Sequence, residues 1–314
     1  MKSYARIFIH FIILFSFIYM VSCGSKKVHP RLHLEKGKIY TLSSQSSFKA
    51  QQDAQGEKIQ TEMISSSEMQ FKVKDIKDNV YHMEARYIAL DITFNINGNI
   101  RHMTAEDENN PYYQLMKAMF LENSFDIYLT PEGKVLRVEG IEEMFDKGLD
   151  ALDIGLLQKQ QIKQQMLNAY GPDAFKGAFE RLFHIFPDKA IGPNDTWQIS
   201  VKAKALVPYT FQMTYRLAET GPDYYLIDGK GDMQVKDTVV QLNGYTYRYK
   251  LTPEISSRHK IEKSSGWIIE GKIRQDMNGL IEVGQSKDRM IEVPTEMNYA
   301  ESFTGKIIKD TILN

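Results

Sequence analysis

Residues 209–217, YTFQMTYRL, alternate strictly between large apolar and polar side chains. Successive side chains of a β-strand point to opposite faces, so this stretch predicts a strand with one packed face and one solvated face. The packed set consists of Tyr209, Phe211, Met213, Tyr215 and Leu217. Strands of this kind pair into a sheet that has a dry side and a wet side.

The same alternation recurs over most of the chain from Thr196 onward, and it includes the aromatic set Tyr245, Tyr247 and Tyr249. Turn-forming residues separate these runs at Gly221-Pro222-Asp223, Asp228-Gly229, Asn243-Gly244, Ser264-Ser265-Gly266 and Asn278-Gly279. Connections this short join antiparallel strands, because parallel strands need a crossover of about a dozen residues. We therefore predict a large antiparallel sheet.

Residues 79–97 form a further alternating run, in which the apolar residues change parity after Tyr87. A change of parity inside one strand indicates either a β-bulge or a stretch that is buried on both faces. Asn97-Gly98 follows this run. Both residues tolerate a positive φ, so the pair predicts a tight hairpin.

Between the two groups of strands, a segment from about 110 to 186 shows helical spacing around one β-hairpin. Over residues 141–170 a glutamine-rich surface flanks an apolar stripe formed by Leu149, Leu152, Leu156, Ile162, Met166 and Tyr170. Strands, then helices, then strands predict an α+β fold, mostly β, in which a large twisted or curved antiparallel sheet carries a helical insert. We assign residues 37–314 to this single β-rich domain.

The N-terminus resembles the signal peptide of bacterial lipoproteins. A basic start precedes a mostly apolar run over residues 7–21, and small residues surround Cys23 as in a lipobox. The run is shorter than the roughly 20 residues of a membrane-spanning helix. The resemblance implies a signal peptide at 1–22, acylation of Cys23 with a palmitate-type chain, and a tether at 23–36. An ordinary cleaved signal and an uncleaved anchor are the alternatives.

This resemblance also implies a location. The membrane would be a partner through the N-terminal lipid, and the protein would belong to the cell envelope. Basic residues follow Cys23 directly. They favour attachment to the outer membrane on its periplasmic side, since surface-exported lipoproteins of some Gram-negative groups carry acidic residues there.

Catalytic motifs are missing from the sequence. It contains no G-x-S-x-G elbow, no H-E-x-x-H pair, no phosphate-binding loop and no G-x-G-x-x-G fingerprint. The single cysteine is Cys23, which the lipid would occupy. Lys and Arg total 39 against 40 Asp and Glu, and this balance argues against a nucleic-acid partner, which needs a basic patch. We predict a protein that is not an enzyme and that has no cofactor.

Two patterns invite a metal site and are better explained otherwise. His29 and His33 have the spacing of a metal pair on a helix, but they flank a proline in the predicted tether. The glycine-rich stretch at 228–232, DGKGD, lacks the further oxygen ligands of a calcium loop and is typical of a hairpin. His82, His102 and His259 lie beside polar residues, which favours solvated side chains.

The aromatic stripes are the candidate binding residues: Tyr209, Phe211, Met213, Tyr215, Tyr245, Tyr247 and Tyr249. They have two interpretations, a plain core face or an apolar groove with tyrosine hydroxyls at its rim. We therefore predict non-enzymatic binding of an apolar ligand or lipid. The alternative is a protein-interaction module that docks an envelope protein through a sheet edge or the glutamine-rich helix face.

The chain as a whole resembles an uncharacterised domain-of-unknown-function family of bacterial lipoproteins. The residues that carry this resemblance are Gly37-Lys38-Ile39-Tyr40, Val138-Glu139-Gly140, the stretch from Phe186-Pro187 to Gly192-Pro193-Asn194-Asp195-Thr196-Trp197, and Gly266-Trp267. These are turns and packing anchors, so the resemblance implies no catalytic residues. In general plan the chain is also similar to curved-sheet lipoprotein carriers, and that similarity concerns architecture alone.

Overall fold

The computed structural model describes residues 27–103, 111–150, 152–204, 208–235, 239–242, 244–286 and 289–308. In these ranges, thirteen strands form one open antiparallel sheet. The strands are β1 Ile39–Ala54, β2 Glu57–Lys77, β3 Val80–Ile96, β4 Asn99–Met103, β5 Phe125–Leu129, β6 Val135–Glu139, β7 Thr196–Lys204, β8 Pro208–Thr220, β9 Tyr224–Val235, β10 Val239–Leu242, β11 Tyr245–Glu262, β12 Ile268–Ser286 and β13 Arg289–Ile308.

The spatial order of the strands is β6-β5-β3-β2-β1-β13-β12-β11-β9-β8-β7, with β4 beside β3 and β10 beside β11. The helices lie between β4 and β7 in the chain. They are α1 Pro111–Met116, which continues into a π-helical turn Lys117–Leu121, and α2 Ile141–Asp150, α3 Leu156–Tyr170 and α4 Pro172–Phe183. The prediction of a mostly β, antiparallel fold with a helical insert is confirmed.

Helix α4 contacts both β6 and β7, which are the two ends of the strand order. The sheet must therefore curve around this helix. We call the face that carries α4 the inner face, and the opposite one the outer face. Phe71 of β2 packs edge-on against Phe179 and Phe183 of α4, with ring centroids 6.1 and 5.7 Å apart. These rings anchor the helix in the concavity.

Trp267 lies at the centre of this core and is fully buried. Its indole Nε1 donates a hydrogen bond to the carbonyl of Thr41 over 3.0 Å, and its ring lies 5.5 Å from that of Phe71. Trp197, the other anchor of the resemblance, is half-buried at the start of β7 and donates to the carbonyl of Ile185 over 3.1 Å. The two tryptophans therefore fix the chain segments around α4 to the sheet.

Two local predictions are confirmed in β3. Tyr87 pairs with Met69 and Ala89 pairs with Glu68, so Ile88 is the extra residue of a bulge where the apolar parity changes. Asn97 and Gly98 have φ values of 49° and 87° and connect β3 to β4. The sequence pattern located both features because parity and positive φ are local properties of the backbone.

Two predicted turns are wrong. Asp228-Gly229 lies inside β9 and Asn278-Gly279 lies inside β12, so both strands are longer than predicted. The glycine at 229 is required by packing, because a Cβ there would collide with the ring of Tyr215. At 279 the φ of +152° brings the backbone close to the carbonyl of Lys250. A strand glycine that permits such a contact has the same sequence signature as a turn.

The helix predicted over 141–170 is two helices, and its apolar stripe is wrong at both ends of the second one. Leu156 and Tyr170 are 72% and 64% exposed. Only Met166 and Leu167 of α3 pack partly against the core. Gly155 has extended backbone angles and separates α3 from α2, so the two helices do not present one continuous face.

Residues 27–36, which belong to the predicted tether, pack into the domain. Leu32 and Leu34 are 1% and 5% exposed. The amide of Leu32 donates to the carbonyl of Pro131 and the amide of His33 to that of Ser265, both over 2.7 Å. Cys23 and the predicted signal peptide lie outside the described residues. No helix in the described ranges combines the length and the hydropathy that crossing a bilayer requires.

Candidate functional site

The structure separates the two predicted aromatic stripes, although both lie on the inner face. On β8, Phe211, Met213 and Tyr215 are buried at 5%, 8% and 3% exposure, so they belong to the core. Tyr209 is partly buried and its ring lies 5.0 Å from that of Phe211. The core interpretation therefore holds for β8.

The stripe on β11 is different. Tyr245 is 43% exposed, and Tyr247 and Tyr249 are half-buried. Strand β9 pairs with β11 only from Glu254 to Glu262, so these tyrosines lie beyond the stretch of β11 that is paired with β9. They belong to a region of the inner face that is open.

This open region is a continuous apolar surface. Its side chains are all half-buried and come from six of the long strands: Phe48, Met63, Phe94, Tyr247, Tyr249, Leu251, Met277, Met297 and Tyr299. We call these nine residues the apolar surface. Only Tyr247 and Tyr249 were predicted from the sequence as binding residues. The other seven were not: Phe48, Met63, Phe94, Leu251, Met277, Met297 and Tyr299.

Strand register brings the apolar surface together. Phe48 of β1 is opposite Met63 of β2 on one side and Tyr299 of β13 on the other. Met63 is in turn opposite Phe94 of β3. Direct cross-strand neighbours have Cβ atoms roughly 5 Å apart, so these side chains stand next to one another in a row across the sheet.

The outer face of the same strands is polar. The half-exposed apolar side chains at this end of the sheet are therefore confined to the inner face. The residues that alternate with it are Lys49, Glu62, Asn95, Asp276 and Asn298. Ile64 is an exception, an apolar residue on the outer face that is 51% exposed. A sheet with one polar and one apolar face normally covers the apolar one.

A polar band separates the apolar surface from the core beneath α4. Ser44 and Ser46 of β1 hydrogen-bond across to Ser67 and Ser65 of β2, over 3.0 and 2.7 Å. Glu301 of β13 is directly opposite Ser46. The inner face thus changes along the strands from packed core to hydroxyl groups and then to half-exposed apolar side chains.

Arg181 of α4 reaches this band from above. Its Nη2 lies 3.7 Å from Oε2 of Glu301 and 3.4 Å from the hydroxyl of Tyr299, which itself donates to Glu301 over 2.8 Å. Burial raises the pKa of Tyr299. Burial and, secondarily, the charge of Glu301 raise the pKa of Tyr87 to about 12. Tyr299 is therefore a neutral hydrogen-bonding group beside Arg181.

His259 contradicts the prediction of a solvated histidine. It is fully buried, both ring nitrogens lack a hydrogen-bond partner among the described residues, and its ring lies 5.7 Å from that of Phe303. Burial lowers its pKa to about 4. The predicted hairpin at 228–232 is also wrong, since this stretch is the middle of β9. Within the described ranges, no three His, Cys, Asp or Glu residues are grouped as a metal site would need.

Residues 78–268 match the sequence profile of DUF6263, a family of unknown function. The chain belongs to that family. The match covers three of the four segments on which the resemblance was based, and excludes the one at 37–40. No curated protein sequence matches this DUF6263 chain.

Among solved structures, a structure of lipovitellin that describes its lipid–protein interactions is similar to this DUF6263 chain with a TM-score of 0.54 and 8% identity. The match covers 90% of this chain but only 26% of lipovitellin. At this identity the similarity establishes a shared fold alone.

An outer membrane channel from Pseudomonas putida F1 and the outer membrane protein OprG from Pseudomonas aeruginosa match at 8% identity each, with TM-scores of 0.21 and 0.22. These matches cover 91% and 88% of this chain, and 100% and 98% of theirs. Similarity at that level carries no conclusion.

Proposed function

We propose that this DUF6263 member is a lipid-anchored envelope protein that binds the apolar part of a lipid on its apolar surface, without catalysing a reaction. The observation that carries the proposal is a contiguous set of half-exposed aromatic, leucine and methionine side chains on a face whose other half is packed core. Contiguous exposed apolar patches on soluble domains mark interaction or ligand sites.

Acyl chains fit this surface better than a compact polar ligand does. Transfer of one CH₂ group from water to an apolar surface contributes about 0.8 kcal/mol, and a long chain in a row of side chains accumulates this term. Met63, Met277 and Met297 supply flexible, polarisable thioethers. Methionine adapts to ligands of variable shape, which suits chains of different length.

The fold similarity supports the same class of ligand. Lipovitellin, which shares the fold, is described through its interactions with lipid. This chain spans about a quarter of lipovitellin, so the ligand of the larger protein enters here as part of the proposal only. The anchor is the second part: Cys23 would carry the lipid and hold the domain at the outer membrane, facing the periplasm.

Two adjacent residues of β2 provide a matched test. Met63 belongs to the apolar surface, whereas Ile64 points to the outer face and is 51% exposed. We expect Met63→Ser to weaken binding of a dansyl-labelled fatty acid about tenfold, since about 1.5 kcal/mol of apolar contact is lost. Ile64→Ser should leave binding unchanged. Equal effects of the two substitutions, or no binding by the unmodified protein, would contradict the proposal.

One observation favours the alternative of a protein-interaction module. Leu156 and Leu157 at the start of α3 are 72% and 71% exposed, beside glutamines of the same helix. A photo-crosslinking residue at position 157 in intact cells tests this. One dominant protein adduct would support docking through α3, and labelling of lipid alone would favour the binding proposal.

A further inference from the structure

The outer face of the sheet carries a groove that the proposed lipid site does not use. Two adjoining basins of about 1160 and 740 Å³ lie there, and they share Gln45, Arg258, Lys272 and Ser302 as lining residues. The larger basin extends across strands from β7 to β2. The groove is therefore on the opposite side of the sheet from the apolar surface.

Positive charge dominates the larger basin. Five of its lining residues are cationic, Arg216, Lys230, Arg258, Lys272 and Arg274, against two carboxylates, Asp228 and Glu301. Glu301 turns its side chain to the inner face, where it accepts from Tyr299. Arg274 is paired with Asp276 over 2.8 Å. The remaining cations still leave the basin basic, in a chain whose formal net charge is −1.

The cations at the junction of the two basins repel each other. Arg258 of β11 and Lys272 of β12 are directly opposite in register. Like charges in direct cross-strand pairs destabilise a sheet. Asp228 offsets part of this repulsion, with its carboxylate 2.7 Å from Arg258 and 3.2 Å from Arg216. Lys272 has no ion-pair or hydrogen-bond partner among the described residues.

The hydroxyl groups of the larger basin suit a phosphate ligand, while the smaller basin adds Lys260 together with the carboxylates of Glu68 and Glu270. Serine and threonine hydroxyls surround the cations, at Ser47, Ser256, Ser302, Thr196 and Thr214. The one aromatic lining residue, Phe303, is buried on the inner face. Cationic side chains together with hydroxyl donors are the usual ligands of phosphate oxygens.

We propose that this groove binds a soluble anion that carries two or more linked phosphate groups, with Lys272 and Arg258 each contacting one of them. The two side chains line the groove from neighbouring strands, and a free polyphosphate chain can lie along it and contact both. A polyanion also relieves the repulsion between the two cations, which the sheet otherwise leaves only partly compensated.

Sodium tripolyphosphate is the probe, titrated calorimetrically into the purified full-length protein at low ionic strength. We expect Lys272→Gln to lower the affinity about tenfold, the value of one charge-assisted contact. The same substitution should leave the melting temperature unchanged or raise it, because it removes a like-charge pair. A purely structural lysine would lower the melting temperature instead. Lys272→Arg should retain binding.

Lys49→Gln is the matched control. Lys49 lies on the same face outside both basins and pairs with Glu62 over 2.8 Å. The Lys49→Gln substitution removes the same charge as Lys272→Gln. Because Lys49 lies outside the groove, the affinity of this variant for tripolyphosphate should equal that of the unmodified protein. The proposal is overturned if tripolyphosphate does not bind, if Lys49→Gln and Lys272→Gln weaken it equally, or if only vesicles containing anionic phospholipid bind through Lys272.

Discussion

The buried imidazole of His259 makes the stability of the domain depend on pH. The side chain is fully buried and its pKa is lowered from an ordinary value of 6.5 to about 4, because burial disfavours the charged form. Between these two values the unfolded chain binds more protons than the folded one. The free energy of unfolding therefore falls as the pH falls through this window. Above pH 6.5 the imidazole is neutral in both states, so His259 then causes no loss of stability.

The size of this pH-dependent loss of stability follows from how far the pKa of His259 is lowered. A difference of about 2.5 between the two pKa values corresponds to about 3 kcal/mol, of which about 2 kcal/mol is lost between pH 7 and pH 4.5. We expect His259→Leu to remove this dependence. It should also stabilise the protein at pH 7, since it eliminates two buried nitrogens without hydrogen-bond partners among the described residues.

Urea denaturation followed by circular dichroism at pH 7 and pH 4.5 measures both effects. The quantity of interest is the difference between the variant and the unmodified protein, because contributions common to both cancel in it. His102→Gln is the control, because His102 is exposed on β4. If His259→Leu loses as much stability on acidification as the unmodified protein, the neutral buried imidazole is not the cause and the reasoning is refuted.

Three substitutions test other parts of the structure. In urea denaturation, Phe211→Ala should destabilise the domain by roughly 3–5 kcal/mol, because Phe211 lies in the core. Tyr247→Ala should cost less than about 1 kcal/mol, because Tyr247 lies on the apolar surface. Equal losses would mean that the two stripes are not distinct. Gly271→Ala should lower stability by about 1–3 kcal/mol in thermal melts, because its Cβ would collide with a buried phenyl ring, and an unchanged melt would contradict this packing. Arg181→Met should destabilise the domain by roughly 1–3 kcal/mol, because Glu301 loses its cationic partner and keeps only the hydrogen bond from Tyr299. A second change, Glu301→Gln, should restore part of the loss, and no recovery in this double-mutant cycle would show that the two side chains are not coupled.

Local backbone signals made much of the fold predictable. Alternation identified the strands, a change of parity identified the bulge at Ile88, and Asn97-Gly98 identified a hairpin. These signals fail where glycine serves packing. Gly229 and Gly279 lie within strands. Glycine is needed there because a tyrosine ring at the first position and a neighbouring backbone at the second occupy the space that a Cβ would take. Sequence alone does not distinguish such a glycine from one in a turn.

The candidate site was less predictable, for reasons of register. The apolar residues on β1 and β2 are separated by serines and glutamines, so Phe48 and Met63 do not stand out in the sequence. They join Phe94 and Tyr299 only when four strands align. Conversely, the strongest aromatic stripe, on β8, is buried in the core, and nothing in its own sequence indicates what covers it.

We propose that the apolar surface holds lipid, and native mass spectrometry of the protein purified from the cells that produce it naturally tests this most directly. We expect a bound lipid mass on the unmodified protein and on Ile64→Ser, and a marked loss of that mass on Met63→Ser. A protein recovered without bound lipid, or one whose lipid is retained equally by both variants, would contradict it.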